Sequence, residues 1–288
     1  FLKQHDLTIN VVGSGTVTLD TAPLAPGATT CTQAGAGTTT CTVEYLDAAT
    51  PTVVVLSAAA TADWTFTGWS GSGCSGTDTC SVTMSTDRTV TATFLKQHDL
   101  TINVVGSGTV TMTAPIAGTP TSCTGTCGVE YNDGTSVTLT AAADDDWTFS
   151  GWSWTGGAEG TCTGTTSPCT FTIGADEAVT ATFLKQHDLT INVVGSGTVT
   201  LDTAPLAPGA TTCTQAGAGT TTCTVEYLDA ATPTVVVLSA AATADWTFTG
   251  WSGSGCSGTD TCSVTMSTDR TVTATFLKQH DLTINVVG

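Results

Sequence analysis

Positive charge is scarce in this chain. Only 6 of its 288 residues are Lys or Arg, against 24 Asp and Glu, and the formal net charge is −18. A surface so acidic repels phosphate, which argues against nucleic acid and anionic membrane as partners. No apolar stretch approaches the roughly 20 residues that span a bilayer as a helix, so no membrane insertion is expected. Asn10, Asn103, Asn132, Asn192 and Asn285 all lack the Ser or Thr of a glycosylation sequon. Cys-x-x-Cys-His is missing too, which excludes covalently attached haem. The chain opens at Phe1 without an initiator Met or a signal peptide, as a mature fragment does. Charged residues are few at 10%, yet 40% of the chain is hydrophobic, too much for disorder by composition. Twelve Cys in so uncharged a chain point to an oxidising compartment.

Internal repetition decides the organisation. The string FLKQHDLTINVVGSGTVT begins at Phe1, Phe94 and Phe183, and its first 13 residues return at Phe276. Residues 1–93 and 183–275 are identical at every position, and 94–182 is a divergent relative. The expected domains are a unit A at 1–93, a unit B at 94–182, a second unit A at 183–275 and the start of a further unit at 276–288. That last piece stops inside what reads as the first hairpin, as a window cut from a longer periodic chain would.

Within each unit the period is two. Leu7, Ile9 and Val11 alternate with Thr8 and Asn10, the pattern of a strand with one buried face. Gly13-Ser14-Gly15 reads as a tight turn and Thr16-Val17-Thr18-Leu19 as the returning strand. Further strands are expected at 42–46, 52–56, 64–68, 81–84 and 89–94, separated by loops of Gly, Thr, Pro and Ser. No segment carries a helical stripe. Units meet through Leu95-Lys96-Gln97-His98-Asp99 with no Gly or Pro, which favours a fixed angle over loose beads. At about 30 Å per unit, three stacked units would make a rod of roughly 100 Å.

The cysteines fall in local pairs: Cys31 with Cys41, Cys74 with Cys80, Cys123 with Cys127, Cys162 with Cys169, Cys213 with Cys223, and Cys256 with Cys262. Four per unit allow three connectivities, and proximity favours the sequential one. Closing loops this short contributes about 2–3 kcal/mol each in the chain-entropy model. Structural zinc prefers Cys-x₂₋₄-Cys pairs joined by His. The intervening residues here number nine, five, three and six, so only Cys123 and Cys127 fall within that range, and the only His of each unit sits in the junction; no metal or other cofactor is expected.

Several short blocks recur in order. Gly13-Ser14-Gly15-Thr16-Val17-Thr18 leads to a Cys…Cys loop, Val43-Glu44-Tyr45, and Trp64-Thr65-Phe66-Thr67-Gly68-Trp69-Ser70. Then come Cys74…Cys80-Ser81-Val82-Thr83-Met84 and Arg88-Thr89-Val90-Thr91-Ala92-Thr93-Phe94. Unit B keeps Val129-Glu130-Tyr131, Trp147-Thr148-Phe149-Ser150-Gly151-Trp152-Ser153 and Ala178-Val179-Thr180-Ala181-Thr182-Phe183. This order resembles the divergent internalin B-repeat family of bacterial surface and secreted proteins. The resemblance implies compact β-rich, β-grasp-like units arrayed as extracellular spacers, and no catalytic residues. The fold class expected is therefore mainly β: a tandem array of small disulfide-stapled domains, β-grasp-like or Ig-like, without long helices.

Candidate sites are few. Lys-Gln-His-Asp recurs at Lys96, Gln97, His98 and Asp99 and again at Lys185, Gln186, His187 and Asp188. Neighbours on a strand point to opposite faces, so His98 and Asp99 cannot easily form a catalytic dyad. The tetrapeptide is expected to set the junction, with His98 as a contact to the neighbouring unit and a candidate pH sensor. Trp64 and Phe66 share a strand face and read as core. Trp69 reads as a cap beneath the Cys74–Cys80 loop. Trp154, which has no counterpart near Gly71 and Ser72, is the one Trp expected to be exposed and to contact a ligand. Asp144-Asp145-Asp146 lacks the alternation and Gly of a calcium loop and reads as a solvated acidic loop. The Thr excess suits the polar face of a sheet.

The sequence thus points to a structural, non-enzymatic segment of an extracellular, bacterial fibre or giant cell-surface protein, its units stacked head to tail. Its expected partners are neighbouring repeats and other copies in a filament. The alternative is an adhesin stalk whose loops bind a glycan or a surface protein. The order A-B-A also keeps identical domains from being immediate neighbours, which limits swapping. A chain of three A units should therefore refold in lower yield than A-B-A, as measured by size-exclusion chromatography after dilution from urea. Equal recovery would refute this role of the alternation.

Overall fold

The computed structural model describes residues 3–113, 115–155, 162–206, 208–229, 232–282 and 284–285. The first two residues of the opening repeat, and 283 and 286–288 of the last, lie outside that set. All regular structure is strand, and among the described residues there is no helix. The chain forms two compact units. One comprises Phe1–Asn103, Thr111–Thr140 and Trp152–Thr180; the other comprises Val104–Val110, Ala141–Gly151 and Ala181–Gly288.

In the first unit, the opening repeat contributes β1 (Gln4–Val12), β2 (Gly15–Leu19), β3 (Thr30–Gln33), β4 (Thr38–Leu46), β5 (Val53–Ala60), β6 (Trp64–Ser70), β7 (Cys80–Thr83) and the start of β8 (Arg88–Val105). These make two four-stranded layers. One has the order β6-β8-β1-β4, the other β3-β2-β5-β7. The first layer is mixed: β1 runs antiparallel to β4 but parallel to β8, with Leu7 opposite Arg88 and Val12 opposite Thr93. The second is antiparallel throughout. Alternate residues of both layers meet in one core. Leu7, Ile9, Val11, Val90, Ala92 and Phe94 come from the first; Val17, Val54, Leu56 and Val82 come from the second.

The middle repeat has β9 (Gly108–Met112), β10 (Ser122–Cys123), β11 (Thr126–Asn132), β12 (Ser136–Ala143), β13 (Trp147–Trp154), β14 (Cys169–Thr172) and the start of β15 (Glu177–Val194). Within the first unit, the second half of β8 pairs antiparallel with β11, and β12 pairs with β14. The second unit holds the third repeat. There β15 continues into β16 (Gly197–Leu201), β17 (Thr212–Gln215), β18 (Thr220–Leu228), β19 (Val235–Ala242), β20 (Trp246–Ser252), β21 (Cys262–Thr265) and β22 (Arg270–Lys278). Its pairings repeat those of the opening repeat, including the parallel ladder of β15 with β22. The same residue types fill its core.

The expected hairpin of β1 with β2 does not form. β1 belongs to one layer and β2 to the other, so Gly13-Ser14 is a corner between sheets. Both strands bury their apolar residues, and a hairpin in one sheet would leave the second layer without its central strand. The corner needs glycine. Gly13 has φ +80, and a Cβ there would strike the Phe94 carbonyl oxygen and approach the Trp64 ring to 2.7 Å. The sequence reading also missed β3, and it ended β5 before the Ala58-Ala59-Ala60 run, which is strand.

A bulge between Phe66 and Gly68 breaks the alternation of β6. The extra residue turns Trp69 back toward the core, where it lies edge-on to Phe66 with ring centroids 5.1 Å apart. Its indole N–H donates to the Asp78 carbonyl at 2.6 Å, inside the loop between Cys74 and Cys80.

The structure joins Cys31 on β3 to Cys41 on β4, and Cys74 beyond β6 to Cys80 on β7. β3 and β4 are edge strands of opposite layers, and so are β6 and β7. Each disulfide therefore closes one open flank of the sandwich. The other bridges are Cys123–Cys127, Cys162–Cys169, Cys213–Cys223 and Cys256–Cys262, with Cα–Cα separations of 5.4 to 6.0 Å, within the usual range.

Gly13→Ala should destabilise the first repeat by about 2 kcal/mol or more, combining the cost of a left-handed non-Gly residue with the clash. The identical third repeat, with Gly195 intact, is an internal reference. Urea unfolding should resolve an earlier transition for the altered repeat, and coincident transitions would show the corner to be tolerant.

Candidate functional site

The Lys-Gln-His-Asp segment lies in the middle of β8, not in a linker. Buried residues alternate along this strand from Val90 through Ala92 and Phe94, then resume at His98, Leu100 and Ile102. Only exposed Lys96 interrupts the series. On one side β6 pairs with residues 91–96, and on the other β11 pairs with 97–103. The strand passes from one repeat's ladder to the next between Lys96 and Gln97.

Backbone bonds seal that step. The Gln97 N–H donates to the carbonyl of Asp63 at 2.7 Å, in the turn between β5 and β6 of the preceding repeat. Asp63 has φ 61, a left-handed conformation that Asp tolerates better than most residues. The carbonyl of Lys96 accepts the Asp133 N–H, also at 2.7 Å. In the second unit Gln186 donates to Asp146, which has φ 62, and Lys185 accepts from Asp229. Part of the acidic triple is therefore used structurally: Asp146 makes this turn, and Asp144 accepts a bond from the Ser107 hydroxyl.

His98 is buried, as are His5 and His187. Each ring lies between two carboxylates at 3.2 to 3.6 Å: His5 between Asp47 and Asp87, His98 between Asp133 and Asp176, His187 between Asp229 and Asp269. Of these contacts, Asp133 with His98 Nε2 and Asp269 with His187 Nδ1 are hydrogen bonds. Among the described residues, the opposite nitrogen of each of those rings has no hydrogen-bond partner. Both partners of His98 belong to its own repeat, so the contact with the preceding repeat is made by the Gln97 backbone instead. Asp99 and Asp188 point outward, but their N–H groups donate to Asp176 and Asp269 at 3.1 Å, as Asp6 does to Asp87. The histidine and its neighbouring amide thus fasten the start of the first strand of each repeat to the turn before its last.

These acidic partners were not picked out from sequence, because they lie some 35 and 77 residues from the tetrapeptide. Asp63, Lys96, Gln97, Asp99, Glu130 and Asp176 line a small polar cleft beside the step. Among the described residues, no group of three or more His, Cys, Asp or Glu is placed to hold a metal ion. Trp154 is half-buried, like Trp64, Trp147 and Trp246. Its ring lies edge-on to Phe171 at 4.9 Å, and its indole N–H donates to the Cys162 carbonyl.

The family model for the divergent InlB B-repeat domain matches residues 28–98, 98–187 and 209–280. The three matches end at His98, His187 and His280, the histidine of each tetrapeptide. No curated protein matches the chain. Among solved structures, the pilus adhesin SpaC of Lactobacillus rhamnosus GG is 10% identical with a TM-score of 0.30, over 98% of this chain and 44% of its own. The chain therefore spans less than half of that adhesin. The major pilin SpaD of Corynebacterium diphtheriae is 9% identical with a TM-score of 0.29, over 97% and 98% of the two chains. Superpositions this loose say nothing about ligand or assembly.

The amide N–H of Asp6 holds the Asp87 carboxyl below the ordinary carboxylate range, and the His5 ring adds to the effect. The amides of Asp99 and Asp188 do the same for Asp176 and Asp269, with His98 and His187 contributing. A carboxylate whose folded pKa is depressed adds stability that is whole above its unfolded value, near 3.9, and is lost as pH falls through the folded value. Changing Asp87, Asp176 and Asp269 together to Asn should flatten the dependence of the urea midpoint on pH between about 5 and 2. An unchanged slope would remove these groups from the acid response.

Proposed function

We propose, for a chain that belongs to the divergent InlB B-repeat family, that it is a structural repeat segment of an extracellular fibre or giant bacterial surface protein, its repeats stacked head to tail as a rigid rod. The observation that carries this reading is β8. It is a single 18-residue strand that ends one repeat's sheet and begins the next. A strand bonded on both sides of the step resists bending there far more than a coil would, because any kink must break ladder bonds.

The chemistry of the surface supports the same reading. All twelve cysteines are paired, as suits a protein outside the reducing cytosol. The acidic excess is −5, −8 and −5 over the three repeats, counted from the sequence. It keeps a long array soluble by self-repulsion. Partners in this reading are neighbouring repeats and other copies of the chain, and no catalytic step is part of it.

Electron microscopy of native material tests the function: continuous filaments support the fibre, and short surface stalks favour the adhesin alternative, in which loops near Trp154 hold a glycan or a protein. Inserting Gly-Ser-Gly-Ser between Lys96 and Gln97 tests the rod. Small-angle scattering should then show a broader distribution of inter-repeat distances at unchanged strand content. An unaltered distribution would sink the rigid step.

A further inference from the structure

The strands through which tension enters and leaves a repeat are nearest neighbours. Tension on the chain reaches the opening repeat at the start of β1, near Gln4, and leaves along β8, near Lys96. β1 and the first half of β8 are the two central strands of their layer, in the order β6-β8-β1-β4. They run parallel, with six positions in register from Leu7 opposite Arg88 to Val12 opposite Thr93. Pulled from opposite ends, two parallel strands can separate only by sliding, so every rung of the ladder is loaded at once. β15 and β22 repeat this register in the third repeat.

Side chains extend the ladder beyond its backbone rungs. Asp87 accepts the Asp6 N–H at 3.1 Å and faces the His5 ring at 3.4 Å, at the end where β1 is loaded. Asn10 donates to the Thr91 hydroxyl at 3.5 Å in the middle. At the far end the Phe94 backbone packs against Gly13 too closely for any side chain there. On its other side β1 is held by nine registered positions of β4. The disulfides stand outside this path. Cys31–Cys41 and Cys74–Cys80 tie the flanks of the sandwich, and neither bridges β1 to β8.

We propose that each repeat is a load-bearing clamp, its parallel terminal strands placed so that tension along the array acts on them in shear. This deepens the structural reading above and rests on it, since only an array under tension uses such a clamp. The recurring Lys-Gln-His-Asp segment then has a second role, because its histidine and the following amide hold the loaded end of the first strand against the turn before the last.

Single-molecule pulling on the full chain tests the clamp. In one arm handles are attached at the two chain ends. In the other they are attached through azide-bearing side chains at exposed Gln4 and Thr86, which lie at the same end of the β1–β8 pair and peel it open rung by rung. In shear the same bonds break within one residue spacing of ~3.3 Å, and in peeling over the five spacings that the six registered positions span, so the end-to-end arm should unfold at roughly five-fold higher force. Equal forces in the two arms would overturn the proposal. Reduction supplies the second readout. It should lengthen each unfolding step of an A repeat by about 50 Å, as the loops closed by separations of 10 and 6 residues join the stretch, and leave the end-to-end force unchanged. A force that falls to the peeling value on reduction would assign the load to the disulfides and overturn the clamp. Filament images bear on the array and the force ratio on the clamp, so the two readings fail separately.

Discussion

A strand that serves two domains must find hydrogen-bond partners along its entire length. An unpaired buried amide costs as much as a lost hydrogen bond, and β8 has 18 residues to satisfy. Most of the junction follows from that demand. β6 covers residues 91–96 on one side and β11 covers 97–103 on the other, and the Gln97 amide just past the end of the β6 ladder is taken by the Asp63 carbonyl. A Gly or Pro in this stretch would weaken or end the ladder, which explains why the junction contains neither. The absence of flexible residues, read from sequence as a stiff linker, reflects the absence of any linker.

The same demand shapes each repeat. The last strand of the repeat does not lie at an edge: its first half sits between β6 and β1. The edges fall to β4 and β6 in one layer and to β3 and β7 in the other. Exposed edges invite pairing with other chains. Here each flank carries a disulfide that ties the edge of one layer to the edge of the other. For repeats of about 90 residues, whose cores bury a modest share of their surface, these ties also restrict the unfolded chain. They tie the two layers together at both flanks of the sandwich and leave β1 and β8 to be joined by their ladder.

The period, the strand content and the local Cys spacing could be read directly, since alternation such as Leu7, Ile9, Val11 has one physical interpretation. The partition of strands between layers could not. Two alternating strands around Gly-Ser-Gly look the same whether they pair or turn a corner, and the difference lies in Phe94, some 80 residues away, whose carbonyl fills the space beside Gly13. Trp69 reads as a cap beneath its loop because it lies past Gly68, but the bulge that turns it inward shows only in the pairing of β6 with β8. The site itself was legible as a recurring tetrapeptide and illegible as a cluster, for Asp133 and Asp176 reach His98 only through the fold. Trp154 had looked free because it lacks a counterpart in the A repeat, but Phe171 and the Cys162 carbonyl occupy it.

The acidity that first set this chain apart has a structural component. Asp63, Asp146 and Asp245 hold left-handed turns. Asp87, Asp176 and Asp269 accept strand amides, and Asp47, Asp133 and Asp229 flank the buried histidines. Short acidic side chains suit all three tasks, since they tolerate positive φ and place an acceptor close to the backbone. Between the repeat ends the outward positions are largely neutral. Thr16 faces Thr32 at 2.9 Å, and Thr40 bonds Asn10 at 2.8 Å. Facing like charges at such cross-strand sites would repel, and a chain with so few cations has little with which to balance them. Hydroxyls keep the sheet faces wet without that cost, and carboxylates gather at the turns and repeat ends, where the backbone can use them.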